Sequence, residues 1–111
     1  MYEALIALLE ATGIPLAEGA WNNAPQSGSY LEYQLEGQGA ALWADGKMQE
    51  QAISGSVDLF CRTNSREDFH KVQQALDASG VSWQLFSIQR EFKNRLVHYE
   101  WTFELERLEG T

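Results

Sequence analysis

The apolar positions of this chain change their period several times, and each change marks an element. Over residues 2–12, Tyr2, Leu5, Leu8, Leu9 and Thr12 fall on one helical stripe with Ile6 at its edge, while Glu3 and Glu10 face away. That spacing predicts an amphipathic helix. Gly13 supplies a left-handed stop and Pro15 prevents the helix from resuming. Residues 14–21 can form a short strand, and Asn22, Asn23, Pro25, Ser27 and Gly28 read as a loop. From Ser29 the period falls to two, with Leu31, Tyr33 and Leu35 on one face and Glu32 and Gln34 on the other. Gly37 and Gly39 interrupt this run, so Ala40 to Ala44 is expected as a separate short strand. Asp45-Gly46 is a hairpin-turn dipeptide. Alternation returns from Glu50 to Arg62, where Ile53, Gly55, Val57, Leu59 and Cys61 share a face.

A second helix is marked by Phe69, Val72 and Leu76, flanked by Ala75 and Ser79. Ser65 is its expected N-cap with Asp68 in the capping-box position, and Gly80 sits where a left-handed C-cap is needed. Two strands follow. In the first, Val81, Trp83 and Leu85 alternate with polar residues. Phe86 and Ile88 then fall out of step, so the strand is either apolar on both sides or bulged. A polar turn over 90–95, around Asn94, leads to the clearest alternation in the chain. Val97, Tyr99, Trp101, Phe103 and Leu105 oppose His98, Glu100, Thr102, Glu104 and Glu106. The order helix, strands, helix, two strands predicts an α+β fold. A mainly antiparallel sheet with two helices on one face buries every stripe.

Composition narrows the function classes. At 111 residues and 44% apolar, the chain fits a single domain over 1–111 with one core, and a disordered chain is not expected. Sixteen acidic against eight basic side chains leave a formal net charge of −8. Nucleic-acid binders draw most of their affinity from Lys and Arg on phosphates, and anionic membranes also attract basic segments. Neither nucleic acid nor membrane is therefore expected as a partner. The apolar start has acidic residues at both ends, unlike a signal peptide, and it is too short to span a bilayer. Cys61 is the only cysteine, which rules out an internal disulfide framework.

The candidates for chemistry are few. His70 falls off its helix stripe and His98 on the polar face of its strand, so both read as solvated surface histidines rather than general bases. Cys61 alternates with apolar neighbours and reads as a small buried hydrophobe. Glu100, Glu104 and Glu106 read as a solvated acidic face rather than an acid–base pair. Gly37-Gln38-Gly39 lacks the following helix that a phosphate loop requires. No catalytic site, metal or other cofactor is expected. Trp83 and Trp101 lie on core faces, whereas Trp21 and Trp43 flank a loop and a turn and are candidates for contact sites.

The order of elements and several local phrases resemble the tail terminator and head–tail joining proteins of long-tailed phages and prophages. The phrases are Ala24-Pro25 before Tyr30-Leu31-Glu32-Tyr33-Gln34, then Leu42-Trp43-Ala44-Asp45-Gly46-Lys47 and Ser56-Val57-Asp58-Leu59-Phe60. The helix from Arg66 to Gly80 and Val97-His98-Tyr99-Glu100-Trp101-Thr102-Phe103 complete the set. They run through nearly the whole chain, although each phrase is short, and the Gly37 to Gly39 stretch departs from the family pattern. The resemblance implies a non-enzymatic virion protein, present in the host cytoplasm during assembly. Its subunits close into a homo-oligomeric ring, commonly six-fold, that caps the tail tube and meets other tail or neck proteins. In that reading the subunit interface uses Trp43, Asp45 and Lys47 at the hairpin. Arg90, Lys93 and Arg95 form a basic turn that faces an acidic strand face carrying Glu100 and Glu104. Two alternatives come from other classes: a monomeric α+β module holding a small ligand against its sheet, and a small hydrolase or isomerase.

The apolar faces predict one core of Leu5, Leu8, Leu9, Val57, Leu59, Phe69, Val72, Leu76, Tyr99, Trp101 and Phe103. Leu76→Ala is expected to cost about 2–5 kcal/mol through lost burial and a residual cavity. A denaturant midpoint equal to that of the unsubstituted protein would place Leu76 outside the core.

Overall fold

A computed structural model describes residues 2–25, 27–44, 47–62, 66–91, 93 and 95–105, with the backbone alone described for 38–44 and 47–51. The elements in chain order are α1 (Tyr2–Glu10), β1 (Leu16–Glu18), β2 (Tyr30–Ala44), β3 (Lys47–Cys61), α2 (Glu67–Ser79), β4 (Ser82–Glu91) and β5 (Leu96–Leu105). The fold is α+β. Five strands form one open sheet in the order β1-β2-β3-β5-β4, antiparallel except for the β1–β2 pair.

Both helices cover the same face. Tyr2 of α1 meets Phe103 and Tyr33, and Phe69 of α2 meets Trp101 and Tyr99. Between them lies one cluster containing Leu5, Leu9, Leu31, Val57, Leu59, Val72, Leu76, Trp101 and Phe103, all buried. Leu8, Phe69 and Tyr99 are partly buried and pack against it. The core expected from the apolar faces is thus present as one body. Burial of Trp101 is made tolerable by its indole N–H, which donates to Gln73 Oε1 of α2 at 3.1 Å. The Tyr2 hydroxyl is shut off from solvent without a hydrogen-bond partner among the described residues. Its burial, with Glu18 and Tyr33 nearby, pushes the phenol up to about 12, so it stays neutral.

The helix ends show which local signals held. Gly13 and Gly80 both adopt the positive φ that a C-terminal stop requires, at 80° and 82°. Thr12 completes the first stop: its hydroxyl donates to Leu9 O at 2.6 Å and accepts from Ile14 N at 3.2 Å. At the start of α2 the N-cap position is one residue later than expected. It is Arg66, without a side-chain cap, and Ser65 lies outside the described residues. Asp68 accepts a 2.7 Å hydrogen bond from Ser29, tying α2 to the start of β2.

Two expectations about strands need correction, and the alternative left open for β4 is settled. The strand expected somewhere in 14–21 covers only Leu16–Glu18. Trp21 lies beyond it and pins the return to β2, its indole N–H donating to Leu31 O at 2.9 Å. Gly37 and Gly39 do not end a strand. They lie inside a fifteen-residue β2, and register shifts between Leu35 and Gly37 and between Gln38 and Ala41 absorb the irregularity. The out-of-step residues of β4 mark a bulge: the register passes from Leu85↔Trp101 to Ser87↔Glu100, skipping Phe86. Ile88 therefore pairs with Tyr99 and returns to the face of Trp83 and Leu85.

The hairpin around Asp45-Gly46 is confirmed by its pairing, since Ala44 is opposite Lys47; the two turn residues themselves lie outside the described residues. β2 and β3 pair along their whole length, whereas β5 pairs with β3 only from Cys61 to Ile53 among the described residues. Residues beyond Ile53 and Gln38 thus continue as a two-stranded ribbon past the other described strands, and the described structure measures 53 × 26 × 25 Å.

Gly55 shows how tightly the helix-covered face is closed. A β-carbon there would lie 2.4 Å from Phe103 Cζ and 2.6 Å from Gln34 O. The Phe103 ring occupies the space that a side chain would need, and its own far side is stacked on Tyr2. Gly55→Ala is therefore expected to destabilise the fold by about 1–3 kcal/mol through overpacking. Chemical denaturation measures it, and a midpoint at or above that of the unsubstituted protein would show that Phe103 has room to move.

Candidate functional site on the open sheet face

The face without helices is built from the alternate residues of each strand, and the strand register arranges them in rows. One row runs Tyr30, Phe60, His98 and Gln89 across β2, β3, β5 and β4. Directly opposed residues on neighbouring strands lie about one strand spacing apart, roughly 4.8 Å, which is also a stacking distance for rings. Tyr30 and Phe60 stack with centroids 4.7 Å apart and 13° between planes, and Phe60 and His98 at 4.3 Å and 14°. Trp21 closes the far end edge-on against Tyr30 at 6.2 Å. The Arg62 guanidinium lies 5.7 Å from the Tyr30 ring centre, and its Nη1 donates to Gly28 O at 3.0 Å.

The next row is acidic. Glu32, Asp58 and Glu100 are directly opposed on β2, β3 and β5, and Ser87 of β4 ends the row. Like charges placed opposite one another destabilise a sheet. Part of that repulsion is relieved locally: Glu32 Oε2 accepts the Trp21 backbone N–H at 3.2 Å, and His98 Nε2 lies 2.7 Å from Asp58 Oδ1. Among the described residues, no lysine or arginine forms an ion pair with any of the three carboxylates.

These contacts set the electrostatics. The hydrogen bond to Asp58 raises the His98 imidazole above its ordinary value against the opposing effect of burial, and the charges of Asp58, Glu100 and Glu32 reinforce the rise. Burial pushes the Glu100 carboxyl up, with Asp58 adding to the shift and His98 opposing it. His98 is therefore not the solvated histidine expected from its strand face. It is half-buried, stacked on one side and hydrogen-bonded at Nε2. The ligand atoms of Asp58, His98 and Glu100 all lie within 4.8 Å of one another. The sequence reading grouped Glu100 with Glu104 and Glu106 as one acidic face and did not bring it together with Asp58, which β3 places opposite Glu100.

The other candidates fall elsewhere. His70 is exposed on α2, as expected. Cys61 is buried and its thiol is pushed up, chiefly by that burial, so it lacks the thiolate character of a nucleophile. Trp43 and Lys47 lie at the ribbon end, opposite Met48 and Ala44, while Asp45 lies outside the described residues. Arg90, Lys93 and Arg95 are exposed at the β4–β5 turn, which is at the opposite end of the sheet from the ribbon. Glu104 is exposed on the open face, Glu100 is half-buried within the acidic row, and Glu106 lies outside the described residues. No helix of the described residues is long and apolar enough to cross a membrane.

Compared with known proteins, the chain matches no family model and no curated sequence.

The His98 contacts predict a pH dependence. A histidine raised on folding contributes stability that is fully present below the unfolded value of about 6.5 and is lost as pH rises through the folded value. In chelator-containing buffer, Asp58→Asn is expected to lower the His98 titration midpoint seen by NMR. The stability gap between the unsubstituted protein and this variant should then narrow from mildly acidic to alkaline pH. A His98 midpoint unchanged by Asp58→Asn would show that the 2.7 Å contact does not hold the proton.

Proposed function

We propose that this protein is a structural subunit that acts by assembling with copies of itself. By its resemblance to tail terminator and head–tail joining proteins, it belongs at the tail–head junction of a phage or prophage virion. The observation that carries the assembly reading is the ribbon formed by the outer parts of β2 and β3. An isolated two-stranded hairpin is marginal in water, and this one continues past the described residues of the strands that support its base. Its sequence, which includes Leu42, Trp43 and Met48, supplies apolar residues suited to a neighbouring surface.

Two further features fit. β4 is a ten-residue edge strand, and Leu85, Phe86 and Ile88 along it are 37%, 63% and 51% exposed. An apolar edge of that kind favours a partner. The ribbon and the basic turn carrying Arg90, Lys93 and Arg95 lie at opposite ends of the sheet. Contacts between unlike ends of successive copies are heterologous and close into a ring when the rotation allows. A ring capping the tail tube, with other tail or neck proteins on its free surface, is the corresponding virion role.

The row of stacked rings beside the acidic row favours a second reading, a monomeric module that holds a small ligand on its open face.

Light scattering coupled to size-exclusion chromatography separates the two readings. A closed oligomer that grows with concentration is expected, whereas a strict monomer at high concentration favours the ligand module. Trp43→Ala is expected to weaken assembly at all salt concentrations, and Lys93→Glu mainly at low salt, where screening is weak. Folded variants with unchanged affinity and salt response would exclude this interface.

A further inference from the structure

Independently of how the chain assembles, we propose that Asp58, His98 and Glu100 form a binding site for a divalent transition-metal ion such as Zn2+. The ligand atoms of the three side chains already lie within 4.8 Å of one another. Bonds of about 2.0–2.2 Å to a zinc ion place tetrahedral ligands roughly 3.4 Å apart. His98 Nε2 and Asp58 Oδ1, now 2.7 Å apart, would part by well under one ångström to admit the ion between them. The glutamate side chain closes the rest of the gap by rotation about its own bonds.

Positioning comes from the backbone. Asp58 and Glu100 are directly opposed on the paired strands β3 and β5, and His98 lies two residues from Glu100 on the same face. The Phe60 ring, stacked 4.3 Å from the imidazole, fixes the plane of His98 while leaving Nε2 turned toward Asp58. The ligand set is therefore held by two strands and one aromatic neighbour rather than by a loop.

Two further observations point to a cation. Glu32, Asp58 and Glu100 form a transverse row of carboxylates that, among the described residues, no lysine or arginine pairs with. His98 offsets at most one of the three charges, and the remainder still favours a cation. At the end of the row, Ser87 is directly opposed to Glu100, and its hydroxyl oxygen is shut off from solvent with no hydrogen-bond partner among the described residues. A polar atom in that state costs stability, and an ion or its bound water offers it a partner. One imidazole nitrogen with two carboxylate oxygens suits zinc, cobalt or nickel. Calcium and magnesium prefer sites made wholly of oxygen.

Titration calorimetry with Zn2+ alone, at neutral pH, tests the site. One ion per chain is expected, with affinity for Ca2+ and Mg2+ at least tenfold weaker. Asp58→Asn and His98→Gln keep the shape of the face and are each expected to weaken Zn2+ binding at least tenfold. His70→Ala, on the exposed side of α2, should leave it unchanged. Circular dichroism establishes that each variant is folded, and the shift of the His98 ring resonances on adding Zn2+ reports the ligand directly. Absence of Zn2+ binding to the folded unsubstituted protein overturns the proposal. So does binding that survives both substitutions, or binding that disappears with His70.

Discussion

Two short helices cannot cover both faces of a five-stranded sheet, and the rest of the structure follows from that limit. All the aliphatic burial is concentrated on one side, where Leu5 and Leu9 of α1 and Val72 and Leu76 of α2 meet Val57, Leu59, Trp101 and Phe103. The crowding is severe enough that β3 must carry glycine at position 55, so that Phe103 can lie against the backbone. The opposite face has to be stable by other means. It uses ring stacking between strands, hydrogen bonds from a loop tryptophan and a histidine–aspartate pair. Contacts of this kind contribute little individually compared with core burial. They also leave polar groups near one another and near water, which is the setting in which a sheet face acquires binding chemistry.

Most of the helix-covered face was legible in the sequence because each signal there is local. The alternation from Val97 to Leu105 and the stripe of Phe69, Val72 and Leu76 each specify a face without reference to any other segment. Glycines 13 and 80 specify helix ends by backbone geometry alone. Where a local signal misled, a tertiary contact had displaced it. Asp68 looked like half of a capping box, and it accepts a hydrogen bond from Ser29, thirty-nine residues away. Glycines 37 and 39 looked like a break, yet the long partner strand β3 carries β2 through them.

The open-face site was not legible for a different reason. His98 and Asp58 are forty residues apart, and nothing in either segment announces the other. Their meeting depends on β3 pairing with β5 in one particular register, across the intervening α2 and β4. A slip of one residue would have sent Asp58 to the core side. The chemistry of that face is thus a property of the register, and reading each strand as apolar or polar assigns its carboxylates only to solvent. The ribbon is an intermediate case. Its turn was readable from Asp45-Gly46, but its reach beyond the sheet appears only when the lengths of β2, β3 and β5 are compared.

The bulge in β4 sets position 86 apart from every other site in the strand. Residues before and after it keep the same two faces, so Trp83, Leu85 and Ile88 face one way and Gln84, Ser87 and Gln89 the other. Phe86 contributes to neither count. Shortening the chain by that one residue would leave the assignment of every neighbour intact, and exchanging its side chain would disturb neither the core nor the acidic row. Position 86 therefore stands outside the pairing that fixes its neighbours. The Phe86 ring, 63% exposed, is instead apolar surface that the fold presents outward.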